Sequence, residues 1–472
     1  MEESDPMAFR QELDRRRFTK IAGGAAAALS LGVPARAYAQ DAAATATAEA
    51  QSVAATATAE AASEGVQVST EEEGKTNVSW WTHNNTAFVD ANIKLIEAFE
   101  KANPDIHIVY QYFPYDVFVQ KLQTGYSSGT VADVQQMFGT WVTEYAKFGL
   151  LDPVPDEMAS TMADRFWPAA TGAYEVEGTF YGQPKEYNLE NGGMLVNPKL
   201  IEDAGATETP TTWQAMIDLA VKATKYDSSG LITQSGLAFI TTDTVTFTYL
   251  SMILQQGASY FAEDGVHVDL QSDAAKKAWQ DFTGLVTEYN VDDTLSRSLD
   301  TQDLFFQGRA AMCLRGPWVI PVGEEEYPDL EFRYDPVPVY AGTEMKFAAE
   351  SGWGEVVNAK IDDDKKAAAW KFIDFMHQDD NLREWNKATF TVPSLKGLAN
   401  DPALLEAAPG LATSFAALPG GQWIGQIGDR DRFFQFILDA YTSVDIGEAS
   451  PEDALAQAEE NINAMIDENV GP

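Results

Sequence analysis

The period of apolar positions changes several times between residues 76 and 140. Val78–Trp81 is a short apolar run that reads as a first strand. Val89, Ile93, Ile96 and Phe99 repeat at helical spacing, and Asn103-Pro104 ends that segment because proline cannot continue a helix. Ile106, Ile108, Tyr110 and Tyr112 then alternate as a strand does. Phe118–Tyr126 predicts another helix and Ala132–Phe138 another strand. Strand and helix in strict alternation predict a parallel α/β sheet. The pattern returns downstream. Met194–Val196 is apolar, and a helix opens after Pro210 with WQAMIDLAVKAT. Trp353–Val357 precedes the helix DDDKKAAAWKFIDFMHQ. A last helix has Ser450 as cap, Pro451 and Asp453 in its first turn, and Leu455, Ile462 and Ile466 on its apolar side. The fold class is α/β, and 472 residues are too many for one simple core, so two lobes are expected.

The first 75 residues lack this patterning. DRRRFTK at 14–20, the mildly apolar IAGGAAAALSLGV and then ARAYAQ have the charge, apolar stretch and small-residue cut site of an export signal, residues 1–39, cut after Ala39. Arg15-Arg16-Arg17-Phe18 with Lys20 fits the twin-arginine type. Residues 40–75 read as an Ala/Thr-rich flexible linker. ATATAEA occurs at 44–50 and 55–61, large apolar side chains are missing as far as Gly65, and the folded body is expected to start near Lys75. A weak Ala-rich helix is the other reading of the linker, and an uncleaved signal would make it a spacer from a membrane. The mature chain is expected to be soluble and extracytoplasmic, in the periplasm or at the outer face of the cell membrane.

Charge narrows the partners. Seventy-two acidic against 32 basic residues give a net charge of -40, which repels phosphate backbones and anionic membrane surfaces. A solvated acidic shell accounts for it more simply than a specific cationic ligand does. The single cysteine, Cys313 in AAMCLRG, permits no internal disulfide and reads as an inert core residue. Catalytic signatures are sparse. His83, His107, His267 and His377 lie far apart, with no pair at metal-ligand spacing, and GxSxG, phosphate-loop and dinucleotide fingerprints are missing. Asp362-Asp363-Asp364 reads as an acidic helix start rather than a calcium loop. No catalytic residue, cofactor or metal site is therefore read, and the chain is expected not to be an enzyme.

What recurs is an aromatic residue beside polar residues or glycines at a strand end: Trp80-Trp81-Thr82-His83, Phe138-Gly139-Thr140-Trp141, Tyr187-Asn188-Leu189-Glu190, Gly316-Pro317-Trp318 and Gly352-Trp353-Gly354-Glu355. Open α/β sheets bind ligands beyond the carboxyl ends of their strands. Aromatic faces pack on the CH-bearing faces of sugar rings while amides, hydroxyls and carboxylates bond the rim. Any one tryptophan is more often core than contact; several at strand-to-loop junctions shift that balance.

In order along the chain, VSWWT, IKLIEAFEKANPDI, SSGTVADVQQM, AKFGLLDPVPD, YGQPKEYNLENGGMLVNPKLIEDAGATETPTTWQAM, LFFQGRAAMCLRGPWVI and SGWGEVVNAKIDDDKKAAAWKFIDFM resemble the carbohydrate-binding extracellular solute-binding proteins of ATP-binding-cassette (ABC) importers, the maltose-binding-protein-like family 1. The resemblance runs from Thr76 to the C-terminus. It implies the two-lobed periplasmic-binding-protein fold, with an interlobe cleft that binds ligand and closes by hinge bending. Lobe 1 would hold 76–188 and 350–393, lobe 2 189–349 and 394–472, with hinges near Asn188–Asn191, Phe347–Gly352 and Thr391–Ser394. Its implied cleft residues are Trp80, Trp81, Thr82, Phe138, Thr140, Trp141, Tyr187, Asn188, Glu190, Trp318, Trp353 and Phe434. By strand parity Trp80 and Thr82 share a face that Trp81 opposes, so one tryptophan packs inside while the other, with Thr82 and His83, faces the ligand. The resemblance also implies a monomer that hands a small solute to ABC permease subunits. The lipobox cysteine of many relatives is missing, and twin-arginine export is less usual in the family. A polyamine ligand on the same scaffold and, further off, a secreted glycosidase are the other readings.

Overall fold

The computed structural model describes residues 65–292, 300–427 and 429–470, so the segment read as an export signal and most of that read as a linker lie outside the described residues. The chain divides into two compact units, one ending at Val68 and including Gln111–Val131, the other Ser69–Tyr110 with Ala132–Pro472. In the smaller unit, strand Val66–Gln67 pairs antiparallel with Tyr112 and Gln111, and helix Tyr115–Ser128 buries Phe118, Leu122 and Tyr126. Among the described residues regular structure therefore starts at Val66, inside the stretch read as linker. Its anchoring continues in the larger unit, where Ser69 Oγ donates to the Ile108 carbonyl at 2.7 Å and accepts from Tyr110 N–H at 2.9 Å. These bonds are made across the chain, which local composition cannot reveal.

The larger unit holds two principal sheets. In the first, residues 106–110 of strand Ile106–Phe113 come first, followed in order by Thr76–His83, Val134–Phe138, Trp353–Val357 and Gly182–Pro184. Trp80 and Trp81 pair in parallel with Val134 and Gln135, whereas Trp353–Val357 runs antiparallel to both of its neighbours. The sheet is mixed rather than wholly parallel, because a strand from far along the chain is inserted among the early ones. Gly354 sits between two strands, and a Cβ there would come within 2.2 Å of the Gln183 carbonyl oxygen, so only glycine fits. Helix Thr86–Ala102 starts where Asn85 Oδ1 accepts the Phe88 N–H. It buries Leu95 and Asn92 where the periodicity placed Ile93. Asn92 is usable inside because Tyr110, Lys185 and Trp385 all bond its side chain.

The second sheet runs Lys225–Tyr226, Ile232–Ala238, Ala310–Leu314, Met194–Val196 and Arg333–Asp335. Helices Thr242–Gln255, Asp273–Thr287, Arg430–Asp445 and Pro451–Val470 share a core with it that includes Phe239, Trp279, Phe282 and Tyr441. Cys313 is fully buried in its third strand. Ser450 caps the last helix as read, its Oγ accepting the Asp453 N–H at 3.1 Å.

A third, small sheet joins segments from distant parts of the chain. Phe347–Ser351 lies between Gly421–Trp423, parallel, and Tyr187–Asn188, antiparallel. The Tyr187 N–H donates to the Val392 carbonyl at 2.9 Å, and Glu186 bridges Pro393. The three segments read as chain crossings are thus hydrogen-bonded side by side. Among the described residues no helix is long and apolar enough to cross a membrane.

Candidate functional site

Strand alternation separates the two adjacent tryptophans. Trp80 is fully buried, its ring 4.9 Å from Tyr110 and 5.2 Å from Phe372, with the Lys185 ammonium 5.1 Å from its centroid. Thr82 lies on the same face, where its hydroxyl meets Tyr110 Oη at 2.8 Å. Both belong to the core, which corrects the expectation that Thr82 joins the ligand platform. Trp81 is half-buried on the opposite face, and the next position of that face is His83 rather than Thr82.

The His83 ring lies 4.7 Å from Trp353. Phe138 stands directly across the antiparallel pair from Trp353, their rings 5.1 Å apart, and Trp141 meets Trp353 edge-on at 5.5 Å and 89°. Phe138, Trp141 and Trp353 are each half-buried, so this contiguous aromatic wall keeps accessible ring surface. It forms because Phe138 and Trp353 close the ends of adjacent strands while Trp141 sits in the first turn of the helix that follows at once. Burial, helped by the Lys185 charge, lowers the His83 pKa to about 4, so the wall is uncharged at neutral pH.

Thr140, in the same turn, lines a recess with Thr143, Trp423, Gln426 and Arg430. The Thr140 hydroxyl and the Trp423 indole nitrogen are both buried without a hydrogen-bond partner among the described residues. Two unsatisfied polar groups at one recess are a cost that a polar ligand or water removes. Gly172 lies under the Trp423 ring, where a Cβ would come within 2.3 Å of it. Trp423 escaped the sequence reading although GGQW has the same glycine-beside-aromatic signature as the segments chosen. Glu186 also escaped it. Its Oε1 accepts the Trp353 N–H at 3.1 Å, and burial raises its pKa to about 7, with Glu355 adding to the rise.

The remaining expected residues fall into polar clusters or the core, except Trp318, which is exposed. Tyr187 is buried in the third sheet, and the neighbouring Asn188 donates to Glu350 Oε1 at 2.9 Å. Glu190 is 1% exposed and accepts from Thr244 Oγ1 at 2.5 Å and Arg315 at 3.2 Å; burial raises its pKa to about 7 against the pull of Arg315. Its Oε1 is held by these two partners, which a sequence cannot reveal because Thr244 and Arg315 lie 54 and 125 residues away. Trp318 is 37% exposed, with the Arg315 guanidinium 6.0 Å from its ring. Phe434 is fully buried, 5.1 Å from Phe247 and 3.8 Å below the Arg430 guanidinium. It is core, and Arg430 of the same helix is the residue that reaches the recess.

Comparison with known proteins gives the family. The sequence profile of the bacterial extracellular solute-binding proteins matches residues 94–413. A binding protein of Brucella abortus (strain 2308) is 25% identical over 380 residues, 78% of this chain and 88% of that protein. The maltotriose-binding protein of Pyrococcus abyssi is 23% identical over 314 residues, 66% of this chain and 64% of that one. Among solved structures, the cyclic alpha-maltosyl-1,6-maltose binding protein of Arthrobacter globiformis superposes with a TM-score of 0.71 at 21% identity, covering 83% of this chain and 99% of that one. The sugar-binding protein MalE of Xanthomonas citri gives 0.69 at 20% identity, covering 83% and 97%. The expected two-lobed α/β fold is the fold of these structures. The chain therefore belongs to the bacterial extracellular solute-binding proteins.

Proposed function

We propose that the protein is the substrate-binding receptor of an ABC importer for a sugar, taken up against the wall of Phe138, Trp141 and Trp353. The observation that carries this reading is the pairing of that wall with the unpartnered Thr140 hydroxyl and Trp423 N–H. Flat apolar faces beside unsatisfied donors suit a ring that is apolar above and hydroxylated at its edge. Two relatives support the ligand class: that of Pyrococcus abyssi binds maltotriose and another, from Bacillus subtilis, galactooligosaccharide.

Lobe 1 is 76–188 with 350–393, and lobe 2 is 189–349 with 394–472. The adjacent segments around 186–188, 350–351 and 392–393 form the hinge, and Thr140 and Thr143 of lobe 1 face Gln426 and Arg430 of lobe 2 across the recess. Ligand bridges the lobes, the cleft closes, and a permease takes the sugar unchanged; no bond is broken. Residues 1–39 direct export by the twin-arginine route, and the chain works as a monomer. A polyamine is the weaker candidate, because a cation box needs free carboxylates, whereas Arg315 pairs with Glu190 and Lys185 with Glu355.

Thermal shift against mono-, di- and oligosaccharides, with spermidine and putrescine alongside, tests the reading, since a ligand bound only by the folded state raises Tm by mass action. A shift confined to sugars, with the sugar recovered intact, is expected. A shift with polyamines alone overturns the sugar assignment.

A further inference from the structure

Three side chains away from the aromatic wall converge near the start of the described chain. Glu72 lies just ahead of strand Thr76–His83, Glu100 in the last turn of helix Thr86–Ala102, and His107 in strand Ile106–Phe113. One ligand atom of each lies within 4.8 Å of the others. His107 Nδ1 is 2.9 Å from Glu100 Oε1 and 3.4 Å from Glu72 Oε1.

The other ring nitrogen is already engaged. His107 Nε2 lies 3.0 Å from the Thr70 carbonyl oxygen, which can only accept, so Nε2 carries a proton and Nδ1 is the nitrogen that faces the two carboxylates. His107 is 6% exposed, and Nδ1 has no hydrogen-bond partner among the described residues; the two carboxylates come close without the alignment a ring N–H needs. Two carboxylates converging on one buried ring nitrogen repel each other unless a cation stands among them.

We propose that Glu72, Glu100 and His107 bind one zinc ion. Zinc holds histidine nitrogen and carboxylate oxygen at about 2.0–2.2 Å, which sets neighbouring tetrahedral ligands roughly 3.4 Å apart. The observed 2.9 and 3.4 Å lie close to that spacing. Calcium and magnesium prefer all-oxygen shells and fit a histidine poorly. The Nε2–H bond to a backbone carbonyl is the outer-shell contact that orients a metal-bound histidine. Supporting bonds hold both carboxylates: the Ile108 N–H donates to Glu100 Oε1 at 2.9 Å, and Lys75 Nζ lies 2.6 Å from Glu72 Oε2, leaving Oε1 for the ion. The ion fastens the segment around Thr70–Glu72 to a helix end and a strand of the first sheet. The sequence hides this site because its ligands are 28 and 7 residues apart and follow no short motif.

The test is zinc titration of the full chain, stripped with EDTA, in competition with a chromophoric chelator, with Tm and the visible absorption of the cobalt form read in parallel. One tight zinc per chain, a rise in Tm and cobalt d–d bands are expected. Glu72→Gln, at a side chain 48% exposed and so harmless to folding, should weaken binding tenfold or more, and His107→Gln should abolish it. His267→Asn, which removes a separate surface contact with Asp264 and Asp467, should leave it unchanged. Equal zinc uptake by wild type and Glu72→Gln, or loss of uptake in His267→Asn, overturns the proposal.

Discussion

Trp80 and Trp81 are chemically identical neighbours with opposite roles, and each role has its own measurable consequence. Truncating Trp80 empties a fully enclosed site against Tyr110 and Phe372, so Trp80→Ala should cost about 3–5 kcal/mol of stability. Trp81→Ala removes a half-buried ring and should change denaturant midpoint by less than about 1.5 kcal/mol while weakening sugar binding. Denaturant melts of the two variants check this, and equal destabilisation would count against it. Parity made their opposition legible in advance. Which face was core was not legible, because that depends on Phe372, nearly 300 residues away. Glu186 offers a test through pH. Its folded pKa of about 7 lies above the usual glutamate value, so the folded state holds the extra proton and loses relative stability as pH rises from about 4.5 through 7. Glu186→Gln removes that dependence. Its stability relative to wild type should climb with pH across this window, by up to about 2–3 kcal/mol. Parallel Tm–pH curves for the two proteins would refute the assignment.

At the level of elements, Arg430 ties the third sheet to two helices. Its Nε and Nη2 reach both oxygens of Glu350, at 3.1 and 2.8 Å, and Nη2 is also 2.8 Å from Asp243. Glu350 is buried, and burial raises its pKa while Arg430 opposes the rise. An arginine in the first turn of a helix opposes the helix dipole, and these carboxylates offset that. Arg430→Ala leaves Glu350 buried without its countercharge and should cost about 3–5 kcal/mol; pairing it with Glu350→Gln should recover much of the loss, as chemical denaturation of the three variants would show. The elements themselves were largely legible. The apolar period located helix Thr86–Ala102 and strand Ile106–Phe113, and cap chemistry located the start of helix Pro451–Val470. What the period missed were contacts across the chain: the antiparallel insertion of Trp353–Val357, the Val66–Gln67 strand inside a polar stretch, and the inward turn of Asn92.

For the molecule as a whole, the sequence carried the fold family in the order of its segments, while the site was only partly legible. Phe138, Trp141 and Trp353 do assemble, because Phe138 ends one strand, Trp141 follows it in the next helix and Trp353 begins the antiparallel strand alongside. Phe434 and Thr82 do not join them, because burial and hydrogen bonding to their own core already use them. The receptor account requires that the aromatic wall supplies binding energy and contributes little to folding. Titration calorimetry of wild type and Trp353→Ala tests this, using the oligosaccharide that raises Tm most. The account predicts one sugar per chain for the wild type, an affinity at least tenfold weaker in the variant, and a similar Tm for both ligand-free proteins. Equal affinity in the two proteins, or no binding of any sugar by the wild type, would contradict it.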